Sequence, residues 1–593
     1  MPKYVLREDV DTSAFFDALD IHPLTLLLLY HRGITDKEEA EKFLLPSYER
    51  DIGNPMDIFG MKQAVLRIIK AIKEGEKIAV YSDYDCDGIP GGVLLREFFQ
   101  SIGYPVEIYI PHRHNEGYGL HNHAIDKLKD GGVSLIITVD SGITNIDEVA
   151  YAKKKGVDLI VTDHHLPITK ELKNGKVKQV VPDACAVINS KQDVCTYEDD
   201  MLCGCAVAWK LTCALLATLR KEKKGKYVNL NAVLHHVEKL PSGFEKWLLD
   251  LVGISTISDM VPLVKENRAL AHFGLKVLQK TKRPGLNHIF YTGRIEKDKL
   301  TEDDIAFTIA PRINAASRMG EPIQAHHMLF EKNPDTAIAH AIALEQLNTE
   351  RKQGVKDVVG TISFDHEAYK EDVVVVGDPS WGPGILGLIA QKIIDETGKP
   401  VFVWGQGDDK EHAKGSCRSK GEVSVVDLMA HAGKKEEGGV FTHFGGHEQA
   451  GGFSLLFSDI EKLAPALNNA IKHVVCFGKN EEETFIDAEL RLDDVHEVTH
   501  NAVQALAPFG AGNSKPLFSF VSVTPVSVRW FGKQNEHIEV VYQKEKGQIK
   551  AIHFFADKEL EEKLKKAHTL LAHLEKSYWG GKGELRLRVV DVI

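Results

Sequence analysis

The stretch Lys77–Gly88 limits what this chain can fold into more than any other part of the sequence. It reads Lys-Ile-Ala-Val-Tyr-Ser-Asp-Tyr-Asp-Cys-Asp-Gly, so an apolar run is followed by carboxylates at alternate positions, Asp83, Asp85 and Asp87. The apolar run predicts a buried strand. In an extended chain, residues two apart point the same way, so the three carboxylates are expected to converge. Because two carboxylates about 4 Å apart repel by roughly 4 kcal/mol at an effective dielectric near 20, this cluster predicts a divalent-metal site.

Two alternative interpretations explain this stretch less well. A calcium loop of the EF-hand kind needs a preceding helix and a glutamate at its twelfth position, but here a strand precedes and the twelfth residue is Leu94. Aspartates that only cap the following helix, predicted over Gly91–Gln100, would account for one carboxylate and leave the other two unexplained.

Composition and charge exclude several classes of protein. The 593 residues are enough for three or four domains, and a hydrophobic content of 43% is ample for ordinary cores. No apolar run reaches transmembrane length, and the acidic Glu8 and Asp9 do not fit a signal peptide, so we expect a cytoplasmic protein without membrane contact. The formal net charge of −12 disfavours a general nucleic-acid binder and confines any such contact to a local basic groove.

The cysteines predict reduced thiols. There are 8 of them in 593 residues, and none forms a Cys-x-x-Cys pair. Cys185, Cys195, Cys203 and Cys205 lie close together in sequence, but their spacing matches no common structural zinc site.

Two further buried strands are predicted to end in acidic residues or histidines. Val133–Val139 is followed by Asp140-Ser-Gly, and Val157–Thr162 is followed by Asp163–His165. In an open parallel sheet, ligands bind beyond the carboxyl ends of the strands, where all three clusters are expected to lie. Carboxylates with one or two imidazoles and no thiolate suit Mn²⁺ or Mg²⁺ better than structural zinc. Carboxylates from separate strands are enough for two ions, the arrangement that clamps the attacking and leaving oxygens in phosphodiester hydrolysis.

The whole chain predicts an α/β protein of several domains. We expect a helical lead-in at residues 1–60, a parallel-sheet domain at 61–334, a long connecting helix at 335–355, a smaller α/β domain at 356–478 and a C-terminal OB-fold β-barrel at 479–593. The barrel is predicted from five or six short strands between Leu517 and Val590, with one interposed helix.

The motifs of this chain resemble those of a known family. Asp83-Tyr-Asp-Cys-Asp-Gly, Val139-Asp-Ser-Gly and Asp163-His-His are similar to the first three motifs of the DHH phosphoesterase superfamily. From about residue 20 onward, further motifs resemble the RecJ-type single-strand-specific exonucleases: Pro111-His-Arg-His-Asn-Glu-Gly-Tyr-Gly, Ser258-Asp-Met-Val-Pro-Leu, Pro311-Arg-Ile-Asn-Ala-Ala-Ser-Arg, Gly415-Ser-Cys-Arg-Ser, Gly445-Gly-His-Glu-Gln-Ala-Gly-Gly and Pro508-Phe-Gly-Ala-Gly-Asn.

The resemblance implies roles for particular residues in a two-ion Mn²⁺ or Mg²⁺ site. The implied metal ligands are Asp85, Asp87, Asp140, His164 and Asp259. Asp140 is expected to bridge the ions, and Asp83 and His165 are expected to be catalytic residues close by. Because adjacent histidines rarely both face one ion, His165 is expected to face the scissile phosphate.

The resemblance also implies nucleic-acid contacts outside the metal site. Four arginines offer planar forks to phosphate oxygens, Arg113, Arg312, Arg318 and Arg418. The other expected contacts are Ser416 and a glycine-rich turn of Gly445, Gly446 and His447. Asn348 and Arg351 fit the family pattern more loosely.

The terminal barrel is expected to bind single strands by stacking bases on aromatic side chains beside a basic groove. The candidate stacking residues are Trp530, Phe531, Tyr542, Tyr578 and Trp579. The candidate basic residues are Arg529, Lys533, Lys576, Lys582, Arg586 and Arg588. Several of the aromatic residues must belong to the core, and the sequence does not sort them.

Two positions depart from the family pattern. Ile89-Pro90 follows Gly88 where the family usually places a small hydroxylic residue, and Gly382 stands where a histidine commonly precedes Pro-Gly. Neither departure removes a metal ligand, so they bear on rate and substrate preference.

Taken with the resemblance, the expected activity is that of a metal-dependent exonuclease. It would degrade single-stranded DNA 5′→3′ to nucleoside 5′-monophosphates in DNA repair and recombination, as a monomer with a single-strand-binding protein or a helicase as candidate partners. Two alternatives stay open. One is a DHH enzyme acting on oligoribonucleotides, cyclic dinucleotides or pyrophosphate, which the terminal barrel disfavours; the other is a non-catalytic RecJ-like replication scaffold, which the complete ligand set disfavours.

Overall fold

The computed structural model of the protein describes residues 3–12, 20–171, 175–364, 366–407, 410–421, 423–435, 438–474, 483–532, 534–566, 568–578 and 583–593. The chain forms two compact units. We call residues 55–259 and 277–480 the catalytic unit, because it carries the predicted metal ligands, and residues 1–54, 260–276 and 481–593 the OB unit.

The catalytic unit is built on a five-stranded sheet in which every pairing is parallel. Its strands, in spatial order, are Glu107–Tyr109, Lys77–Ser82, Val133–Val139, Asp158–Thr162 and Ala186–Ile188. The three strands predicted to end in acidic residues or histidines lie side by side in its centre, and nearly all of their residues are buried. Burial on both faces is typical of a parallel sheet. The predicted parallel-sheet α/β fold is confirmed.

Helices precede, separate and follow these strands. Their bounds are Met61–Glu74, Gly88–Ser101, Asn122–Asp130, Ile146–Lys155, Gly204–Leu219, Val228–Val237, Phe244–Trp247 and Leu249–Ser258. A separate two-stranded hairpin pairs Ile168–Glu171 with Val177–Val180. Among the residues that the structure describes, none of the helices has the length and apolar character needed to cross a bilayer.

The helix after the first acidic motif begins at Gly88, three residues earlier than predicted. The extended-chain argument for Asp83, Asp85 and Asp87 was therefore wrong in its mechanism. The strand ends at Ser82, the chain turns at once, and Asp87 already has helical dihedral angles, with φ −108° and ψ −54°.

A helical region joins this sheet to a second sheet. It comprises Pro284–Gly293, Glu302–Asp304, a π-helix at Ile305–Ile309, Ala310–Met319, Ile323–Phe330 and the long helix Pro334–Thr361. The long helix continues six residues beyond the predicted end at residue 355. The reason is tertiary, because Val355 and Val358 pack against the core that Ile385, Leu386 and Ile389 form in the second sheet domain.

The second sheet has five strands and mixed pairing. Their spatial order is His443–His447, Ala450–Leu456, His412–Arg418, Val401–Gln406 and Val374–Gly377, with helices Pro383–Thr397, Val425–Ala432 and Ile460–Ala470. Gly445 and Gly446 lie on the first of these strands, so the predicted glycine-rich turn is wrong. Each pairs with another glycine, Gly452 and Gly451, and a Cβ on Gly446 would lie 2.4 Å from the Ala450 carbonyl oxygen. Gly446 therefore permits close packing of the two strands, whereas a Cβ on Gly445 would meet no atom within 4 Å.

The OB unit contains a seven-stranded sheet. The spatial order is Ala488–Glu489, Phe518–Val521, Thr569–Ser577, Glu584–Val592, Gln548–Phe554, His537–Gln543 and Pro525–Phe531. The helices are Pro23–Tyr30, Lys37–Leu44, Tyr48–Asp51, Glu497–Gln504, Lys558–Lys566 and most of Lys265–Leu278. The N-terminal segment also holds a strand, Lys3–Leu6, which pairs in parallel with Glu483–Ile486. Leu28 and Leu29 from that segment share one core with Phe518 and Val540.

Candidate metal centre

Backbone hydrogen bonds place the first residue after each central strand. The amide of Asp83 donates to the Val139 carbonyl (3.1 Å), that of Asp140 to the Thr162 carbonyl (3.0 Å), and that of Asp163 to the Ile188 carbonyl (3.1 Å). Each aspartate is thereby tied to the last residue of the next strand. Asp140 also has a φ of 59°, a left-handed conformation that non-glycine residues adopt mainly where the surrounding structure imposes it.

The turn after Asp83 sends the next two carboxylates in different directions. Asp85 Oδ1 accepts hydrogen bonds from the amides of Asp87 (2.7 Å) and Gly88 (3.0 Å). The carboxylate of Asp87 accepts from the amides of Gly204 (2.6 Å) and Cys205 (2.8 Å), at the N-terminus of the helix Gly204–Leu219. Helix N-termini favour anions, which explains why this carboxylate can be buried there.

Three groups of side chains have ligand atoms within 4.8 Å of one another: Asp83, Asp85 and Asp140; Asp87, His164 and Asp259; and Asp140, His164 and His165. His164 Nε2 lies 3.1 Å from Asp140 Oδ1 and 3.7 Å from both Asp87 Oδ2 and Asp259 Oδ2. The structure therefore brings together all seven residues predicted for the metal site.

Burial and mutual repulsion disturb the titration of these carboxylates. Burial and the neighbouring carboxylates raise the pKa of Asp83 and of Asp140 well above its usual value. For the same two reasons the pKa of Asp87 rises to about 6 and that of Asp259 to about 8. Burial lowers the pKa of His164 to about 3, so its ring is neutral at pH 7.

The same residues offer donor atoms that suit a divalent cation. Asp83 Oδ1, Asp140 Oδ1 and both ring nitrogens of His164 are buried and have no hydrogen-bond partner among the described residues. Buried polar atoms are normally paired, and a cluster of carboxylates is unstable unless protons or cations neutralise it. Neutral imidazole and carboxylate oxygens are ligands of hard and borderline divalent metals, so the donor set fits Mn²⁺ or Mg²⁺.

His165 is oriented by two residues to which the sequence argument gave no role. Its Nδ1 lies 2.8 Å from Asp163 Oδ1 and 3.0 Å from the Tyr118 hydroxyl, and Tyr118 also donates to the Asp140 carbonyl (3.1 Å). Burial alone would lower the pKa of His165, but the hydrogen bond and the charge of Asp163 outweigh it and raise the pKa to about 9. Both residues stand inside motifs quoted from the sequence, which was the available signal.

A second charged cluster lies beside the carboxylates. Arg113, Arg318, Arg351 and Arg418 come from a loop, two helices and the end of a strand. Burial and repulsion from the other three lower the pKa of Arg318 to about 9. Within the described ranges none of the four has a carboxylate oxygen within 4.0 Å, although Arg351 donates to Asn348 Oδ1 (2.9 Å). Arg113 lies 5.0 Å from the ring of Tyr84, between Asp83 and Asp85.

Of the other predicted nucleic-acid contacts, Ser416, Gly445, Gly446 and His447 lie on the same sheet as Arg418, whereas Arg312 lies apart from the arginine cluster. Ser416 Oγ lies 3.3 Å from Arg418 Nη1, and the strand pairing puts Gly445, Gly446 and His447 in register with residues 416–418 across one intervening strand. Arg312 is not part of the arginine cluster. It is buried, its Nε lies 2.5 Å from Glu345 Oε2, and its Nη1 donates to the Thr308 carbonyl.

The aromatic and basic candidates of the OB unit differ in burial and in ion pairing. Tyr542 is fully buried in the core, so its prediction as a stacking residue is wrong. Three of the basic candidates are ion-paired, Arg529 with Glu539, Lys576 with Glu497 and Arg586 with Glu575. Arg588 lies 4.6 Å from the Phe554 ring, and Phe531 contacts the same ring. Lys533, Trp579 and Lys582 lie outside the described residues.

The two departures from the family pattern leave the cluster intact. Ile89 and Pro90 are buried in the first turn of the helix that follows Asp87. Gly382 precedes the helix Pro383–Thr397, and a Cβ at that position would meet no atom within 4 Å.

Family models match three parts of the chain: the DHH family N-terminal domain at residues 77–235, the DHHA1 domain at residues 370–475 and the RecJ OB domain at residues 486–591. Fold and site thus define the class as DHH-family phosphoesterases that also carry a DHHA1 and an OB domain.

Proteins of similar sequence identify a particular family within this class. The single-stranded-DNA-specific exonuclease RecJ of Bacillus subtilis is 32% identical over 93% of this chain, which spans 65% of that relative's length. The RecJ of Escherichia coli is 30% identical over 76% of this chain and 74% of its own length. The chain belongs to the RecJ family.

Solved structures share the fold. The crystal structure of RecJ in complex with Mn²⁺ from Thermus thermophilus matches with a TM-score of 0.77 and 24% sequence identity. The match covers 100% of this chain and 79% of the Thermus thermophilus chain. A crystal structure of exonuclease RecJ bound to manganese matches with a TM-score of 0.58 and 28% sequence identity. The match covers 70% of this chain and 95% of the chain in that crystal structure. The resemblance and the domain types predicted from the sequence are confirmed.

Proposed function

We propose that this chain is a metal-dependent exonuclease specific for single-stranded DNA. It hydrolyses phosphodiester bonds from the 5′ end and releases nucleoside 5′-monophosphates. The observation that carries this proposal is the buried group of carboxylates around His164, which the charge of His165 alone does not balance. This group lies beside four arginines that have no ion-pair partner among the described residues. A phosphodiester held with divalent cations would neutralise both groups at once.

The geometry of the cluster supports one set of ligands for the cations. Asp85, Asp87, Asp140, His164 and Asp259 would hold two Mn²⁺ or Mg²⁺ ions, and Asp83 lies in one group with Asp85 and Asp140. Asp140 belongs to two of the three groups within 4.8 Å, which supports a bridging role. When bound, such ions supply Lewis-acid stabilisation of the negative charge that develops on phosphate oxygens.

His165 acts on the substrate side of this cluster. Its Nδ1 is fixed by Asp163, so the proton that its raised pKa retains at neutral pH is available on Nε2. A charged imidazole aimed in this way can donate a hydrogen bond to a non-bridging oxygen of the scissile phosphate. Tyr118 limits rotation of the ring by contacting the same Nδ1 edge.

The arginine cluster binds the phosphates of the strand. A pKa of about 9 leaves Arg318 protonated at pH 7, and its repulsion from Arg113, Arg351 and Arg418 is relieved when an anion enters. Ser416 adds a hydroxyl donor beside Arg418, and His447 extends the same sheet surface.

The OB unit supplies further contact with single strands through aromatic and basic side chains. The chain works in DNA repair and recombination in the cytoplasm, as a monomer, with a single-strand-binding protein or a helicase as its partner. The names of the RecJ relatives support the exonuclease rather than a small-substrate phosphodiesterase or a non-catalytic scaffold.

The experiment compares linear single strands labelled at the 5′ or 3′ end, in DNA and in RNA, with a covalently closed single-stranded circle and a blunt duplex, in saturating Mn²⁺. We expect early release of the 5′ label as mononucleotide from linear DNA, and no cleavage of the circle. Cleavage of the circle at the rate of the linear strand would contradict exonuclease action.

A further inference from the structure

Glu116 belongs to the motif Pro111–Gly119 and has no role in the proposed chemistry, yet its side chain is closely held. Its carboxylate accepts hydrogen bonds from the Tyr109 hydroxyl (2.5 Å) and the His112 amide (2.6 Å), and the side chain is 15% exposed. His123 Nε2 lies 2.7 Å from the same carboxylate. Burial alone would raise the pKa of Glu116, but these contacts outweigh it and lower the pKa, so the carboxylate is ionised at neutral pH.

The contacts of Glu116 close a short turn that carries Arg113. The Glu116 amide donates to the His112 carbonyl (2.9 Å), while the Glu116 carboxylate accepts from the His112 amide, so residues 112 and 116 are joined in both directions. Inside the turn, His112 Nδ1 accepts from the amides of His114 (3.2 Å) and Asn115 (3.3 Å). The backbone on both sides of Arg113 is therefore held in place.

Tyr109 connects this turn to the parallel sheet. It is the last residue of the strand Glu107–Tyr109, and its ring stacks on that of Tyr81 in the neighbouring strand, with centroids 5.0 Å apart and planes at 20°. Tyr81 is fully buried, and its hydroxyl donates to the Gly119 carbonyl (2.9 Å). Both ends of the motif are thus attached to the strand that leads into Asp83.

The turn also contacts a second arginine of the cluster. His114 Nε2 lies 2.9 Å from the Arg318 carbonyl oxygen, and Lys414 Nζ donates to the His114 carbonyl. Arg113 lies 5.0 Å from the Tyr84 ring, and burial together with the charge of Arg113 lowers the pKa of Arg318. A shift of this turn would therefore move Arg113 and disturb the backbone of Arg318.

We propose that Glu116 is a positioning residue for the arginines that bind the nucleic-acid strand. By closing the turn, its carboxylate sets the place of Arg113 and thereby the affinity for the phosphate that Arg113 binds. Because a carboxylate repels phosphate, Glu116 can favour binding only through the groups that it holds. The inference rests on the proposed function, in which Arg113 binds a phosphate of the nucleic-acid strand.

The test compares Glu116→Gln with Glu76→Gln in the full chain. Glu76 is a matched control, because its side chain is also 15% exposed and accepts from Arg67 (2.6 Å) and Ser134 (2.8 Å), at the end of the sheet opposite the metal cluster. Affinity for a short single-stranded oligonucleotide is measured in EDTA, and hydrolysis in saturating Mn²⁺. We expect Glu116→Gln to raise Kd and KM about tenfold and to leave kcat within about twofold of wild type, since a uniform loss of binding leaves kcat unchanged. Glu76→Gln should bind and hydrolyse as wild type does.

A double-mutant cycle with Arg113→Gln tests whether Glu116 acts through Arg113. If it does, adding Glu116→Gln to Arg113→Gln should change Kd by less than about twofold. A further loss of about tenfold in the double variant would overturn the positioning role. Equal affinities of folded Glu116→Gln and wild type would overturn it as well.

Tyr109→Phe covers the case in which Glu116→Gln does not fold. It removes one hydrogen bond to Glu116 and keeps the ring that stacks on Tyr81. We expect Kd to rise about threefold, and this rise to disappear in the Arg113→Gln background. An unchanged Kd would equally overturn the proposal. Hydrolysis by the wild-type chain tests the proposed function on its own, whereas the affinities in EDTA test the positioning role without hydrolysis, so the failure of either idea is visible without the other.

Discussion

The carboxylate cluster around His164 carries excess negative charge, whereas the arginine cluster around Arg318 carries excess positive charge. In the first, burial and repulsion raise the pKa of Asp140 well above its usual value, and His165, 3.8 Å from Asp140 Oδ1, supplies one positive charge against several carboxylates. In the second, burial and repulsion lower the pKa of Arg318. By contrast, the buried Arg283, elsewhere in the catalytic unit, is paired with Asp250 (2.7 Å) and Glu97 (2.8 Å).

The comparison teaches that this unit tolerates uncompensated charge where it has a ligand to bind. Paired charges such as Arg283 and Asp250 stabilise the fold, whereas each unbalanced cluster costs stability until its counter-ion arrives. Because the two clusters are adjacent through Tyr84 and Asp85, one ligand that combines divalent cations with phosphate compensates both. A single-stranded nucleic acid with bound metal has that composition.

The largest expected effect comes from breaking the carboxylate cluster. Asp140→Asn removes a carboxylate that belongs to two of the three ligand groups, while keeping the size of the side chain. We expect the rate of hydrolysis to fall by about 10³-fold or more in saturating Mn²⁺, since electrostatic stabilisation of the reaction is lost for both ions. The rate on a short 5′-labelled oligonucleotide measures this.

Affinity for single-stranded DNA in EDTA is the control for that variant. It should match wild type, because the arginines and the OB unit are unaltered. Substantial hydrolysis by the folded Asp140→Asn variant would contradict the assignment of Asp140 to a two-ion site.

A smaller effect is expected from breaking the arginine cluster. Arg318→Gln removes one charge-assisted contact to phosphate, worth about 1.5–3 kcal/mol, so binding and hydrolysis of a short strand should weaken about tenfold to a hundredfold. The same substitution relieves repulsion among four arginines, so the thermal midpoint of the DNA-free protein should stay equal or rise.

The matched control is Arg220→Gln, because Arg220 donates to the Pro241 carbonyl and lies 3.7 Å from Glu245. Hydrolysis by that variant should equal wild type. If Arg318→Gln and Arg220→Gln had the same activity, the arginine cluster would have no part in binding the substrate.

The sequence predicted the parts of the site that follow strands. Asp140 is the first residue after one buried apolar run and His164 the second residue after another, and the carboxyl ends of parallel strands must meet at one edge of a sheet. Asp259 has no such signal, because it ends a helix that is almost entirely buried, and only the family resemblance identified it. Tyr118 and Asp163 were quoted within motifs, but their contacts with His165 depend on side-chain directions that spacing does not specify.

Features that depend on distant partners could not be predicted. The strand Lys3–Leu6 exists because Glu483–Ile486 pairs with it, and no local pattern reveals that partner. Gly445 and Gly446 suggested a turn, whereas facing glycines on the next strand hold them in a sheet. The sequence grouped Tyr542 with the other aromatic candidates of the barrel, and only the packed core shows that it is buried.

The smallest expected effect comes from titrating the metal-free cluster. A carboxylate whose folded pKa is raised stabilises the fold below its unfolded pKa, and this stabilisation is lost as pH rises through the folded value. For Asp259, with a folded pKa of about 8, the loss extends from about pH 4, the ordinary value of a carboxylate, up to about pH 8, and it is complete above that. Between about pH 6.5 and about pH 8 the free energy of unfolding should therefore fall by about 2 kcal/mol on account of this group.

The measurement that tests the central claim most directly is urea unfolding of wild type and Asp259→Asn in EDTA and in Mn²⁺, at pH 6.5 and pH 8.5. If the unbalanced carboxylates form a metal centre, wild type loses stability between the two pH values in EDTA, Asp259→Asn loses less, and Mn²⁺ restores wild type far more than the variant. Identical pH dependence in the two proteins, together with no stabilisation of wild type by Mn²⁺, would contradict the account.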